Sequence, residues 1–307
     1  MSKGDIIEKK VHEIYGNLIT RSRMIRDPSV AVKVLEHEYK LVVSEELVRL
    51  VYASFLNGKP VLFEGPPGTG KTEIGQALLE LWSGKKSFIL PCSENYDEYK
   101  VIGDFHPLMA MKMGFTEESF TPRPLLAAMI LDTGVLVDEI RRSNDEFQNM
   151  LLDIIDKRRV VVPELKRLFL SKGTGFQIIF TSNPDDVAQN ELSDAFLRRV
   201  VRLKFTYPDR DTETKIIRLR SSRKPSISND MIKVILNVID RLRNSNILHK
   251  PGTDEAVTWT KMAQAIAELE GYEEVKLRHI KETGISLLSK RSDDEEIIEK
   301  LIGDVLV

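Results

Sequence analysis

The hydrophobic pattern changes period twice along the chain. Over residues 1–28, charged positions are interrupted by a thin apolar stripe of Ile6, Ile7, Val11, Ile14 and Leu18, spaced to share one face of an amphipathic helix. Asp27-Pro28 predicts a break, because the residue before a proline is disfavoured in helix. Helical signals return between Val30 and Tyr52, where Ser44 is followed three residues later by Leu47 rather than by the Glu of a capping box.

From Pro60 the pattern becomes strand, loop and helix. Residues 61–64 predict a short apolar strand, a glycine-rich loop follows, and residues 72–82 predict a helix. Further strands are expected at 87–90, 135–137 and 177–181, separated by helical segments such as 145–156. Strands alternating with helices imply a parallel sheet covered by helices on both faces. Two stretches interrupt the alternation, 108–121 and 160–170, and both suit hairpin insertions. After Tyr207-Pro208-Asp209 the strand signals stop, and helices are expected at 212–220, 229–243, 258–269, 273–288 and 294–306. The reading is an N-terminal helical segment at 1–43, an α/β core at 44–207 and a smaller all-α domain at 208–307.

Composition narrows the classes. With 307 residues, 42% hydrophobic and 30% charged, the chain suits a globular protein of about two domains. Lys and Arg number 45 against 47 Asp and Glu, so net charge points to neither a nucleic-acid nor a membrane partner. The first ten residues lack the apolar core of a signal peptide, and no apolar run reaches the ~20 residues of a membrane span. Cys92 is the sole cysteine, which excludes an intramolecular disulfide and suits a reducing cytoplasm.

The chemistry concentrates in three places. Gly65-Pro66-Pro67-Gly68-Thr69-Gly70-Lys71-Thr72 has the spacing of a phosphate-binding loop, directly after a strand and before a helix. Its glycines leave backbone N–H groups free to converge on anionic oxygens, and the helix start adds its positive end. Lys71 would reach the β- and γ-phosphates of ATP, and the Thr72 hydroxyl would ligate Mg²⁺. Val135-Leu136-Val137-Asp138-Glu139 delivers two acids at a strand's C-terminal end, where ligands collect in open α/β sheets. Alone it would read as a solvated strand end; downstream of the loop, Asp138 suits the Mg²⁺ shell and Glu139 the activation of water. Gln177–Pro184 is a third apolar strand ending in polar residues, with Asn183 placed either to reach the γ-phosphate or to begin a turn.

Together with Leu192-Ser193-Asp194-Ala195-Phe196-Leu197-Arg198-Arg199, these motifs resemble the MoxR family of AAA+ ATPases over residues 44–270. The resemblance implies a P-loop NTPase with a helical lid and homo-oligomeric rings, usually hexamers, whose sites lie between subunits. It makes Asn183 the first sensor and Arg199 the finger that reaches a neighbour's γ-phosphate, with Arg198 as the adjacent alternative. Lys261 falls where the family carries a second-sensor arginine, although lysine lacks the fork for bidentate phosphate contact. Arg141 stands where relatives often have asparagine, and the two interruptions fall at the family's inserted hairpins.

Other features have plainer readings. Lys157-Arg158-Arg159 suits a helix C-terminus, and Arg218, Arg220, Arg223 and Lys224 suit a solvated surface. Met109, Met111, Met113 and Phe115 suit packing, with an adaptable polypeptide-contact surface as the alternative. The five histidines show no metal-ligand spacing. The family resemblance implies remodelling or maturation of a protein target, including metalloenzymes, with a von Willebrand factor A-domain partner. A nucleic-acid motor or loader is the alternative from another class.

Overall fold

The computed structural model describes residues 5–17, 19, 23–94, 96–184, 190–247, 249–290 and 292–305. Leu18, the last member of the N-terminal stripe, lies outside the described residues. The chain divides into two compact units. The first comprises residues 1–39, 43–65 and 71–204; the second comprises 40–42, 66–70 and 205–307. Residues 1–39 therefore fold with the α/β unit, and the interior of the phosphate loop is counted with the helical unit.

Among its described residues the first unit has nine strands: β1 (Val61–Glu64), β2 (Phe88–Pro91), β3 (Gly103–Phe105), β4 (Phe120–Pro122), β5 (Val135–Asp138), β6 (Arg159–Val162), β7 (Arg167–Leu170), β8 (Ile178–Ser182) and β9 (Val201–Lys204). Five of them form one sheet in the order β2-β5-β8-β1-β9, and every pairing in it is parallel. The central strands are buried along their length, as continuous apolar runs in a doubly covered parallel sheet require. Register aligns Glu64 with Ser182 and Val137 with Phe180, which brings the polar strand ends to one edge.

The N-terminal break falls as the proline predicts. Asp27 caps the helix Pro28–His37, its carboxylate accepting from the Ser29 and Val30 amides. The expected helical stretch then splits, because Ser44 starts a second helix, Glu45–Leu56, with its hydroxyl accepting from the Leu47 amide at 3.2 Å. Tyr52 and Phe55 of that helix close on Trp82, whose ring also carries the Arg26 guanidinium 4.3 Å from its centroid.

The stretch 160–170 is an antiparallel hairpin, whereas 108–121 holds a helix and the second strand of a hairpin whose first strand, β3, lies before it. β3 pairs with β4 and β6 with β7. The first hairpin encloses a helix, Pro107–Met113, with no buried residue. Its methionines are exposed in the single chain, Met109, Met111 and Met113 at 36%, 84% and 46%, as is Leu108, whereas Phe115 packs edge-on against Phe105 with ring centroids 4.9 Å apart. Arg167 of β7 pairs with both Asp5, which caps the N-terminal helix Ile6–Tyr15, and Glu117 of the first hairpin. Lys10 of the same helix donates to the carbonyls of Glu117 (3.0 Å) and Phe120 (2.9 Å). One helix thus ties the two hairpins together.

The second unit packs the helices Arg210–Arg220, Asn229–Arg243, Thr253–Leu269, Leu277–Leu288 and Ser292–Val305. Its centre is Trp259, fully buried, with the indole N–H donating to the Ile280 carbonyl at 3.0 Å. Gly284 admits that ring, since a Cβ there would lie 2.4 Å from it. A buried pair, Arg243 on Glu213, is bidentate at 2.8 and 3.2 Å, and the Thr253 hydroxyl adds a third bond at 2.6 Å. Among the described residues, no helix is long and apolar enough to cross a membrane.

Candidate active site

The phosphate loop leaves the end of β1 and enters the helix Lys71–Ser83. Gly68 and Gly70 adopt φ of +69° and +83°, a left-handed backbone that side chains resist. At Gly68 a side chain would also meet Gly252 and Asp254 of the second unit, whose Thr253 and Asp254 amides donate to the Gly68 carbonyl at 3.1 and 3.3 Å. Thr69 closes the loop on itself through a hydroxyl bond to the Pro66 carbonyl at 3.0 Å. The Lys71 ammonium folds back to donate to the Gly65 carbonyl at 2.8 Å.

In the first unit, one hydroxyl gathers the acids. Thr181, buried at the end of β8, donates to Asp138 Oδ1 at 2.5 Å and accepts from the Glu139 amide at 2.9 Å. Thr72 donates to the same Asp138 oxygen at 2.8 Å. Glu139 itself has φ +55° and ψ +52°, a conformation costing a non-glycine residue on the order of 1–3 kcal/mol. That turn ends the strand abruptly. The Glu139 carboxylate pairs with Arg142 Nε at 2.8 Å, with both side chains about half exposed.

The donor set fits magnesium. Thr72 Oγ1 and Asp138 Oδ1 are hard oxygens in hydrogen-bond contact beside the loop, and Mg²⁺ favours a few such ligands completed by phosphate and water. The field of the acids reaches Cys92, whose amide donates to the Asp138 carbonyl at 2.9 Å. Burial, and then the charges of Asp138 and Glu139, push its thiol pKa up to about 12.

The other expected residues are placed as follows. Asn183 directly follows β8 and is half-buried. Arg199 is held within its own chain by Asp156 at 2.7 Å and by the Ala195 carbonyl at 2.7 Å. Arg198, next to it, is exposed. Lys261 is exposed, eight residues beyond the first residue of the helix Thr253–Leu269, about 12 Å along its axis. It is the start of that helix, rather than Lys261, that meets Gly68.

Three residues at this edge escaped the sequence reading, Thr181, Glu64 and Arg142, and a fourth, Arg141, was noted there without a role. Glu64 is 4% exposed and pairs with Arg141 and with Arg202 of β9. The available signal was the polar endings of two apolar strands, Phe63-Glu64 and Phe180-Thr181-Ser182. Neither ending reveals its partners.

Residues 60–200 match the family model described as AAA domain (dynein-related subfamily). The chain is 26% identical over 232 residues to the gas vesicle ATPase GvpN of Ancylobacter aquaticus, covering 71% of this chain and 63% of that protein. It is 28% identical over 162 residues to the uncharacterized protein YehL of Escherichia coli (strain K12), covering 52% and 45% respectively. The chain thus spans less than two thirds of the length of these curated relatives. Among solved structures, the RuvB Holliday junction branch migration motor of Thermotoga maritima aligns with a TM-score of 0.50 and 16% identity, over 85% of this chain and 76% of that one. At that identity the match speaks for the fold alone: an AAA+ parallel sheet with helices, and a helical region after it.

Proposed function

We propose that the protein hydrolyses Mg·ATP in a homo-oligomeric ring of the MoxR type and uses the energy to remodel a protein target in the cytosol. The observation that carries the hydrolytic part is the Thr181 hydroxyl, which holds Asp138 and Glu139 together while Asp138 also receives Thr72 of the phosphate loop. Bound between Thr72 and Asp138, magnesium would neutralise charge on the phosphate oxygens. Lys71 supplies a second charge opposite the β- and γ-phosphates. Glu139 accepts the proton of the attacking water, which requires its bond to Arg142 to open. Asn183, directly after β8, suits a contact to the γ-phosphate or to that water.

The remodelling part rests on the resemblance and on the exposed Leu108, Met109, Met111 and Met113, apolar side chains suited to varied polypeptide contacts. A von Willebrand factor A-domain protein is the partner the same resemblance favours. Three measurements on the purified chain test the proposal. Lys71→Ala weakens nucleotide binding, and Glu139→Gln keeps binding but abolishes turnover; wild-type turnover in Glu139→Gln refutes the base assignment. DNA leaves the ATPase rate unchanged near physiological salt, as expected for a net charge of −2. Strong stimulation by DNA would transfer the assignment to a nucleic-acid motor.

A further inference from the structure

Arg141 departs from the asparagine of the resembled family, and its guanidinium spans the ends of neighbouring strands. It lies in the short turn Ile140–Arg142 that leaves β5, two residues beyond Glu139. Its Nε donates to Ser182 Oγ at 2.8 Å, at the end of β8. Its second arm pairs with Glu64 Oε1 at 3.1 Å, at the end of β1 and one residue before Gly65. The other oxygen of Glu64 is taken by Arg202 of the edge strand β9. In sheet order these elements are β5, β8, β1 and β9, so one cluster joins the ends of β5, β8 and β1 and reaches Arg202 within β9, in register with Leu62.

Burial makes the cluster stiff. The Glu64 side chain is 5% exposed and that of Arg141 19%, and a buried carboxylate stripped of its cations is costly. The backbone of the same turn is also engaged, with the Arg141 carbonyl accepting from the Asn190 amide at 2.9 Å. What the cluster holds is the segment Thr181-Ser182-Asn183. Thr181 touches both acids, Ser182 is gripped by Arg141, and Asn183 comes next in the chain.

We propose that Arg141 is a positioning residue for hydrolysis: by clamping Ser182 to Glu64, it fixes the acid pair and Asn183 relative to the start of the phosphate loop. The inference rests on the ATP-hydrolysing reading above. It also explains why an arginine stands there. Its planar fork reaches two acceptors on different strands at once, whereas a lysine ammonium at the same place keeps the charge opposite Glu64 without the second, directed bond.

The test measures kcat, KM, nucleotide affinity and melting temperature for wild type, Arg141→Lys, Ser182→Ala and the double variant, with Glu139→Gln as control. Arg141→Lys should keep the melting temperature and nucleotide affinity of wild type while kcat falls by up to about 10²-fold, the loss that a displacement of about 1 Å at a reacting centre brings. Ser182→Ala should lower kcat in the same selective way. The double variant should be no slower than Arg141→Lys, since both remove one contact. Wild-type kcat in Arg141→Lys overturns the proposal. So do parallel losses of affinity, stability and kcat, or losses that multiply in the double variant. If Arg141→Lys does not fold, Ser182→Ala decides alone: a selective kcat loss supports the clamp and an unchanged kcat refutes it. The control separates the two layers. A wild-type chain without turnover defeats the hydrolytic reading and the clamp with it; turnover abolished by Glu139→Gln leaves the Arg141 result to judge the clamp by itself.

Discussion

Thr181 performs with one oxygen what two residues would otherwise share, since it donates to Asp138 and accepts from the Glu139 amide. Thr181→Val keeps the shape but leaves the Glu139 amide without its acceptor and frees the Asp138 carboxylate to turn. Turnover should fall by about 10²-fold, and Thr181→Ser should restore most of it, as steady-state ATPase assays will show. Arg142 acts in the opposite sense. Its half-exposed bond to Glu139 is worth at most about 1 kcal/mol, so Arg142→Ala should raise basal turnover by no more than about fivefold. A fall would mean that Arg142 assists the reaction. Cys92 offers a titration. With its pKa pushed up to about 12, the thiol stays neutral through the physiological range. Thiol reagents should therefore label the folded chain far more slowly than the unfolded one between pH 7 and about pH 9. Because the folded pKa lies above the unfolded value, this group's contribution to stability is intact below the ordinary thiol range. It is lost as pH rises towards 12.

At the scale of elements, the sequence was legible wherever burial is symmetric. The runs Val61–Glu64 and Ile178–Ser182 are buried on both faces and read as strands at sight. β9 was missed because Val201-Arg202-Leu203-Lys204 alternates at the sheet edge, half wet, beside a single partner. The lid helix starts at Thr253 rather than 258, because Glu255 reaches back to the Gly252 amide at 2.7 Å and opens the helix earlier than its apolar pattern does. The phosphate loop was legible because its chemistry is consecutive in the chain. The Glu64–Arg141–Ser182 cluster was not, because its members are brought together only by strand order. The junction of Arg167 with Asp5 and Glu117 is invisible in sequence for the same reason. Arg167→Ala should loosen both hairpins, so amide exchange should quicken at 103–122 and 159–170 while β1, β5 and β8 stay protected.

At the scale of the molecule, Arg199, the residue proposed as the finger, is occupied in the single chain. Arg199 answers to Asp156 and Ala195, so service to a neighbour requires it to exchange an internal acid for an external phosphate. Lys71→Ala and Arg199→Ala should each be inactive, and mixing the two should restore part of the activity through interfaces that join an intact loop to an intact finger. No recovery in a mixture shown to co-assemble would point to Arg198 or to a finger acting within its own chain.

The two tryptophans have a practical consequence. Trp82 is buried in the α/β unit and Trp259 in the helical unit, and the chain has no third. Each unit therefore carries one intrinsic fluorophore shielded from water. Trp82→Phe leaves an emission spectrum that belongs to the helical unit alone, and Trp259→Phe one that belongs to the sheet. Red shifts recorded in urea on the two variants will tell whether the units melt at one denaturant concentration or at two, without any label added to the protein.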